Sequence, residues 1–353
     1  MIALLLLALV ADSASTLRRI PLAPGETLTV TVAIPAAPST PAAPVVLKTT
    51  ATLAAPALLI LAPASSAPRS LAAASIPIVL LPGLLGGAFG YRKVAPALAG
   101  AGHATYIVEL LGTGSSSHPG DGDYSLDAQA DRVAAVLDSL GVGSAIIAGS
   151  NFGASIALRV AYRRPEHVSA VLLLDGGPID QSYTQGVSTA MKLGPLVKLF
   201  GGRGIAKRRI REALIESSAD ARWVTRDVVE EYSRPIARDL GATADVLNAM
   251  RRAPVDSPIR DNLARITQPV RLMIGAANRS HGIRPEEVSL LTERLHRITI
   301  DSVAGSGVYL SEERPDAVTA ELLAMGDSLA SSAAVAASLH FPSHSPHSTT
   351  EAP

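Results

Sequence analysis

The chain has 353 residues, of which 48% are hydrophobic and 18% charged, and its formal net charge is zero. This composition allows a sizeable buried core, and a balanced charge without a long basic run argues against a nucleic-acid partner. The sequence contains no cysteine, which excludes disulfides, thiolate metal sites and a cysteine nucleophile. We expect neither a cofactor nor a bound metal.

The N-terminal segment, residues 1–16, begins with an apolar run that is followed by small residues. It fits a signal-peptide core without a positively charged start, or a plain apolar N-terminus, and it is too short to span a bilayer. We therefore expect no stable membrane span, favour a cytoplasmic location and keep export as an alternative.

The next segment, residues 17–34, predicts the first strand or strands of a core, with a turn at Pro24-Gly25. Leu28, Val30 and Val32 alternate with threonines, which is the pattern of a half-buried strand. Residues 35–75 are rich in Ala, Pro and Ser, and we interpret them as a low-complexity insertion or linker.

A regular alternation of strands and helices occupies residues 76–179 and 266–330. Short apolar runs at 76–81, 104–108, 145–148, 170–174, 270–274 and 298–303 predict buried strands. Helical patterns lie between them, including one over Tyr91 to Ala101 and one that begins at the N-cap Ser125 and ends at Leu140. This alternation predicts an α/β fold with a mostly parallel sheet covered on both faces.

Two segments depart from the alternation. Residues 180–265 are helical and more charged, which predicts a helical cap inserted into the core. Its basic cluster, Arg203 and Lys207 to Arg211, reads as a solvated helix face or as a rim that attracts anions. Residues 331–353 are rich in Ser, Pro and Ala, and we expect a disordered tail after a last helix over 315–330.

The sequence Gly149-Ser-Asn-Phe-Gly153 stands between an apolar strand pattern and a helical pattern. A strand that reverses into a helix with almost no loop leaves no room for flanking side chains, which explains the glycines. The central residue projects from the turn in a strained backbone conformation, and here it is Asn151.

Several stretches together resemble α/β-hydrolase-fold proteins of the ester-hydrolase group. Besides the glycine-rich turn, they are Leu80–Gly87, Glu109–Ser116, Tyr124–Asp131, Leu158–Glu166 and Val303–Pro315. The resemblance implies an α/β-hydrolase fold, a small-molecule hydrolase scaffold and a Ser–His–acid triad. It covers residues 17–329 except for the insertion before residue 75.

The resemblance places three unreactive residues at the triad positions. The nucleophile position is Asn151, whose amide is a very poor nucleophile. The acid position in Gly275-Ala-Ala-Asn278 is neutral, and the base position after Gly305-Ser-Gly is Val308, which has no exchangeable proton. We therefore expect an impaired catalyst, a pseudoenzyme.

Two residues are weaker substitutes for the missing groups. Asp175 follows the strand that ends at Leu174, where some branches of the family keep their acid, and His281 lies just past Asn278. Neither supplies a nucleophile. Deamidation of Asn151 to Asp would give a dehalogenase-like nucleophile, but the bulky Phe152 that follows slows this reaction.

An oxyanion hole needs only backbone N–H groups, which the resemblance places at Leu84 and Phe152. The first hypothesis is therefore a binding protein for a small apolar or ester-like ligand under the cap. The alternative is an active hydrolase of esters or similar substrates that uses unrecognised residues. A purely structural or interaction protein is the third class.

Overall fold

A computed structural model describes residues 15–35, 75–180, 202–277 and 282–338. The predicted N-terminal segment before residue 15, almost all of the insertion 35–75, and residues 339–353 lie outside the described ranges.

Eight strands form one sheet in the order β1-β2-β4-β3-β5-β6-β7-β8. The strands are β1 Ser15–Ala23, β2 Glu26–Ala33, β3 Ile78–Leu81, β4 Thr105–Glu109, β5 Ala145–Ser150, β6 Val168–Leu174, β7 Val270–Gly275 and β8 Ile298–Val303. β1 and β2 form an antiparallel hairpin, and β2 pairs antiparallel with β4. The pairs from β4 to β8 are parallel, which confirms the predicted mostly parallel sheet.

Ten α-helices are described. They are α1 Val94–Gly100, α2 Leu126–Leu140, α3 Phe152–Arg163, α4 Gly202–Glu216, α5 Arg226–Arg238, α6 Leu240–Arg252, α7 Ile259–Asn262, α8 Pro285–Arg294, α9 Leu310–Glu313 and α10 Pro315–Ser338. The N-cap of α2 confirms the sequence prediction, since the Ser125 hydroxyl accepts the N–H of Ala128 at 3.2 Å.

The core lies on both faces of the sheet because the central strands are apolar along their whole length. One face packs β5 and β6 residues such as Ile147 and Val171 with α2 and α3, while Ile146 and Leu172 point to the other face with α1 and α10. Alternate residues of a strand point to opposite faces, so both faces need a helical layer.

Three details differ from the sequence prediction. β1 is a strand of its own that alternation did not reveal, because it is an edge strand with little burial. A 3₁₀ helix over Gly87–Tyr91 precedes α1, where one continuous helix from Tyr91 was expected. The last helix continues through Ser338, so the prediction of disorder is wrong for 331–338.

The segment between β6 and β7 is helical, as predicted, in its described part. Helices α4, α5 and α6, here called the inserted helices, bury apolar side chains of their own, including Leu214, Val228 and Tyr232. Strands on either side of this insertion are neighbours in the sheet, since β6 pairs with β7. The insertion therefore leaves the sheet continuous.

Candidate functional site

The turn between β5 and α3 has the conformation that its glycines predict. β5 ends at Ser150, α3 begins at Phe152, and Asn151 between them has φ 49° and ψ −110°. A Cβ on Gly149 would overlap the Gly153 carbonyl, and a Cβ on Gly153 would overlap the Leu81 carbonyl. The prediction that Asn151 occupies a strand-to-helix turn is therefore confirmed.

Backbone contacts from neighbouring strands hold Asn151 in place. Its N–H donates to the carbonyl of Leu174 at 3.1 Å, and its own carbonyl accepts the N–H of Ala154 at 3.0 Å. A Cβ on Gly176 would lie 2.5 Å from the backbone carbonyl oxygen of Asn151, so the loop after β6 passes directly against the turn. These main-chain contacts contribute to the conformation of residue 151.

The loop after β3 lies on the other side of the turn. The Cβ position of Gly83 is 3.7 Å from the Asn151 Cβ, and Leu84, one of the two predicted oxyanion positions, follows directly and is half-buried. Phe152, the other position, is buried in the first turn of α3. The first N–H groups of a helix have no intrahelical partner, so they are free for an anion or carbonyl oxygen.

Glu109 ties the loop after β3 to the loop after β4. Its Oε1 accepts the N–H of Ala88 at 2.8 Å and its Oε2 accepts that of Ser115 at 2.9 Å. Burial raises the pKa of this carboxyl, and the two backbone hydrogen bonds oppose the rise. Glu109 lies in one of the motifs of the resemblance, but the sequence assigned it no role. The glycines at 87 and 114, where a Cβ would overlap its carboxylate, were the sequence feature that could have indicated one.

Asp175 is buried where β6 ends, with only 3% of its surface exposed. Its Oδ2 accepts the N–H of Gly275 at 3.0 Å and its Oδ1 accepts that of Ile283 at 2.9 Å. Burial raises the pKa of this carboxyl, and the two hydrogen bonds lower it. Its φ is 45°, and in the described ranges only Asn151 shares a positive φ among non-glycine residues. Such strain persists where the surroundings enforce it, commonly at functional sites.

Val308 lies near the Asp175 carboxylate. A Cβ on Gly282 would be 2.7 Å from Asp175 Oδ1 and 3.6 Å from Val308 Cγ2, so both side chains border the same small region. Val308 is buried, and its N–H donates to the Ser217 carbonyl at 2.8 Å. Val308, the predicted base position, therefore borders the same small region as a carboxylate but carries only methyl groups.

Asn278 and His281 lie outside the described residues. Their assignments as the acid position and as a substitute base stay predictions. The structure thus brings Asn151, Asp175 and Val308 to neighbouring loops at the carboxyl ends of β5, β6 and β8, where ligands of open α/β sheets bind.

The inserted helices contact three loops around this centre. Tyr232 of α5 packs on Gly86, where a Cβ would lie 2.6 Å from the ring, and Val246 of α6 packs on Gly112 at a corresponding 2.5 Å. The Ser217 carbonyl, just after α4, leaves no room for a Cβ on Gly307. Tyr232 stands at i, i+4 spacing from Val228, but helical spacing alone does not reveal which loop such a face meets, and it assigns no role to Val246.

Comparison with known proteins identifies the class. A family model for the α/β hydrolase fold matches residues 76–200. The meta-cleavage product hydrolase of Pseudomonas fluorescens IP01, in a variant crystal structure with acetates, superposes with a TM-score of 0.64 at 16% identity, over 88% of this chain and 97% of that one. Together with the sheet order and the glycine-rich turn, these matches show that the chain has the α/β hydrolase fold.

Its relatives by sequence are hydrolases. A 2-hydroxymuconate semialdehyde hydrolase of Pseudomonas sp. (strain CF600) is 32% identical over 105 residues, which are 30% of this chain and 37% of that protein. The matched stretch thus spans little more than a third of that relative. The uncharacterized hydrolase YugF of Bacillus subtilis (strain 168) is 26% identical over 247 residues, or 69% of this chain and 86% of the relative.

Two further observations concern only the described ranges. No helix there is both long and apolar enough to cross a bilayer. No group of three or more His, Asp or Glu side chains there is arranged to hold a metal ion.

Proposed function

We propose that this protein binds a small, mostly apolar or ester-like ligand on a hydrolase scaffold and is impaired as a catalyst. The supporting chemistry is at the three triad-equivalent positions, Asn151, Asn278 and Val308. Acylation needs a nucleophilic oxygen, a base to deprotonate it and a charge to hold the base. None of these three residues supplies its part.

The observation that carries the proposal is the conformation of Asn151. The turn keeps the positive φ and the close glycine contacts that present residue 151 above the sheet. Asparagine tolerates positive φ better than most residues, so it preserves the turn while removing the nucleophile. A site that keeps its shape without its chemistry is suited to binding.

An oxyanion hole formed by the N–H groups of Leu84 and Phe152 would receive a ligand carbonyl or carboxylate. The positive end of the α3 dipole adds to this attraction. A preorganised oxyanion hole and binding groups can still accelerate a reaction about 10³-fold over water when the triad is removed. We therefore expect a residual acceleration over the uncatalysed reaction of about that size and no more.

The inserted helices would act as the cap over this ligand. Their contacts with Gly86, Gly112 and Gly307 support the assignment, because these glycines belong to the loops after β3, β4 and β8. A cap that excludes water also suits an apolar ligand.

The experiment is covalent labelling combined with turnover. The purified full chain is incubated with a serine-directed fluorophosphonate and, separately, with p-nitrophenyl butyrate. We expect no stoichiometric adduct, and ester hydrolysis no faster than about 10³-fold over the uncatalysed reaction. Equilibrium dialysis against the unreactive analogue phenyl butyramide should show saturable binding that Gly86→Trp, a substitution directed at the cap contact, weakens.

The alternative is an active hydrolase that uses unrecognised residues. Asp175 favours it, because a buried carboxylate held by two backbone N–H groups beside Val308 is what a histidine base at this place would need. A stoichiometric adduct, or ester turnover near ordinary enzyme rates of about 1 s⁻¹ or more, would establish this alternative. Peptide mapping of the adduct would then identify the nucleophile.

A further inference from the structure

The contact between Tyr232 of α5 and Glu312 of α9 joins the inserted helices to the core. The Tyr232 hydroxyl donates to Glu312 Oε1 at 2.8 Å, and both side chains are 2% exposed. Burial and the neighbouring Glu312 carboxylate raise the pKa of Tyr232 well above its ordinary value. The phenol therefore stays protonated and remains a donor.

Glu312 is a buried charge with its own cations. Arg92 forms an ion pair with Oε1, and Lys93 Nζ lies 3.1 Å from Oε2 and 2.8 Å from the Glu312 carbonyl oxygen. A buried carboxylate is costly unless it is paired and hydrogen-bonded. The core thus holds Glu312 in position, and Tyr232 adds a second hydrogen bond to Oε1 from the inserted helices.

The Tyr232 ring is the centre of an aromatic cluster. It lies 5.9 Å from Phe89, 5.9 Å from Trp223 and 6.2 Å from Tyr309, measured between ring centroids. Phe89 belongs to the loop after β3 and Tyr309 to the loop after β8. One side chain of the inserted helices therefore contacts both loops that carry the predicted oxyanion and base positions.

The inserted helices are also held at their base. Asp180 Oδ1, where the described part of the insertion begins, accepts from Arg159 Nη2 at 2.9 Å and from the N–H of Ile259 at 2.7 Å. The guanidinium of Arg159 is buried within the core and pairs with Asp127 as well. The Asp180 carboxylate therefore joins the start of the insertion to Arg159 in the core and to Ile259 on the returning chain.

We propose that the inserted helices form one fixed unit, here called the roof. The Tyr232–Glu312 contact holds this unit on the core and positions the loops after β3 and β8. Swinging the helices away as a rigid lid would expose the aromatic cluster and leave Glu312 without its phenol. Loosening of the roof and loosening of the two loops are then a single event. Entry and exit of the ligand, which rest on the function proposed above, consequently require this common local opening of the inserted helices and the two loops.

Native-state hydrogen exchange of the full wild-type chain tests the coupling directly. Amides in 202–252 should share one opening free energy with amides in 82–90 and 304–314, so their protection should fall together along a gradient of low denaturant. Roof amides that open at least tenfold more often than the two loops would describe a hinged lid and overturn the proposal.

Tyr232→Phe sharpens the test because it removes only the hydroxyl. A hydrogen bond to a charged group stabilises by about 1.5–3 kcal/mol, so exchange should rise roughly ten- to a hundredfold in the roof and both loops. Protection in β5 and β6 should remain unchanged. The matched control Tyr309→Phe removes a hydroxyl from the same cluster without touching the Tyr232–Glu312 bond, and it should change exchange less than about threefold.

Trp223, the one tryptophan of the chain, gives an independent readout inside the cluster. Acrylamide quenching of its fluorescence should increase in Tyr232→Phe in parallel with exchange in the loops. A rise of exchange over the whole molecule, or a rise confined to the roof, would contradict the coupling. The wild-type measurement decides the question even if the variant does not fold.

Discussion

The turn at Asn151 and the two loops around Glu109 lie in the same region but are held in place by different kinds of contact. Asn151 is positioned by main-chain hydrogen bonds and by glycines that allow close approach. Glu109 positions its loops through its side chain, which binds two backbone N–H groups. We therefore expect substitution at position 151 to affect the fold less than removal of the Glu109 side chain.

The largest expected effect comes from the glycines of the turn. Gly149→Ala would place a Cβ against the Gly153 carbonyl, between two backbone segments that cannot move apart easily. We expect a loss of more than about 3 kcal/mol in the free energy of unfolding, measured by urea denaturation. The control Gly100→Ala, in α1 with nothing within 4 Å, should be neutral or stabilising by up to about 1 kcal/mol. Equal effects of both variants would refute the steric argument.

Removal of the Glu109 side chain should have the next largest effect. Glu109→Ala removes the charged acceptor of the N–H groups of half-buried Ala88 and exposed Ser115, at about 1–3 kcal/mol each. We expect a loss of about 2–5 kcal/mol in the same denaturation assay. Exposed Glu166 provides the control, since Glu166→Ala should change stability by less than about 0.5 kcal/mol. A loss below 1 kcal/mol for Glu109→Ala would mean that water replaces the carboxylate.

Substitution of Asn151 should barely affect the fold, in contrast to Gly149 and Glu109. Asn151→Ser places a residue less tolerant of positive φ at the turn, which should cost about 1 kcal/mol or less. Esterase activity should stay near background, because triad members act as a unit. Unfolding curves and p-nitrophenyl butyrate assays on the same preparation test both statements.

Restoration of all three positions should recover measurable activity. We expect Asn151→Ser, Asn278→Asp and Val308→His together to exceed Asn151→Ser alone by at least about tenfold in kcat/KM. The double variant without Asn278→Asp asks whether Asp175 serves as the acid, and adding Asp175→Asn to it should then abolish the gain. Circular dichroism must confirm folding, because position 308 is buried. A folded triple variant without activity would mean that at least one position is misassigned.

The smallest expected effect is on the pH dependence of stability. Burial raises the folded-state pKa of both Glu109 and Asp175, so the folded state binds protons more tightly than the unfolded state. Their contribution is fully present below the unfolded pKa and is lost as pH rises through the folded pKa. Relative to wild type, Asp175→Asn should therefore gain stability as pH rises from about 4 upward, since Asn does not ionise. A difference that does not vary with pH would show that Asp175 titrates normally.

Comparison of the sequence with the structure shows where local patterns suffice. Nearly continuous apolar runs located β3 to β7 because strands buried on both faces need apolar residues almost throughout. Glycine spacing located the turn at Asn151 because only glycine permits such close backbone contact. Alternation located β2 but not its partner β1, since an exposed edge strand carries no strong alternation.

The sequence by itself determined the strand-and-helix order, the glycine-rich turn and the identity of residues 151, 278 and 308, because these follow from local composition and spacing. Only the tertiary structure decided that Asp175 lies near Val308, that Glu109 binds two loops, and that Tyr232 meets Glu312 eighty positions along the chain. Such contacts depend on which loops the sheet order brings together. No local pattern encodes them, because the partners approach only when the chain is folded.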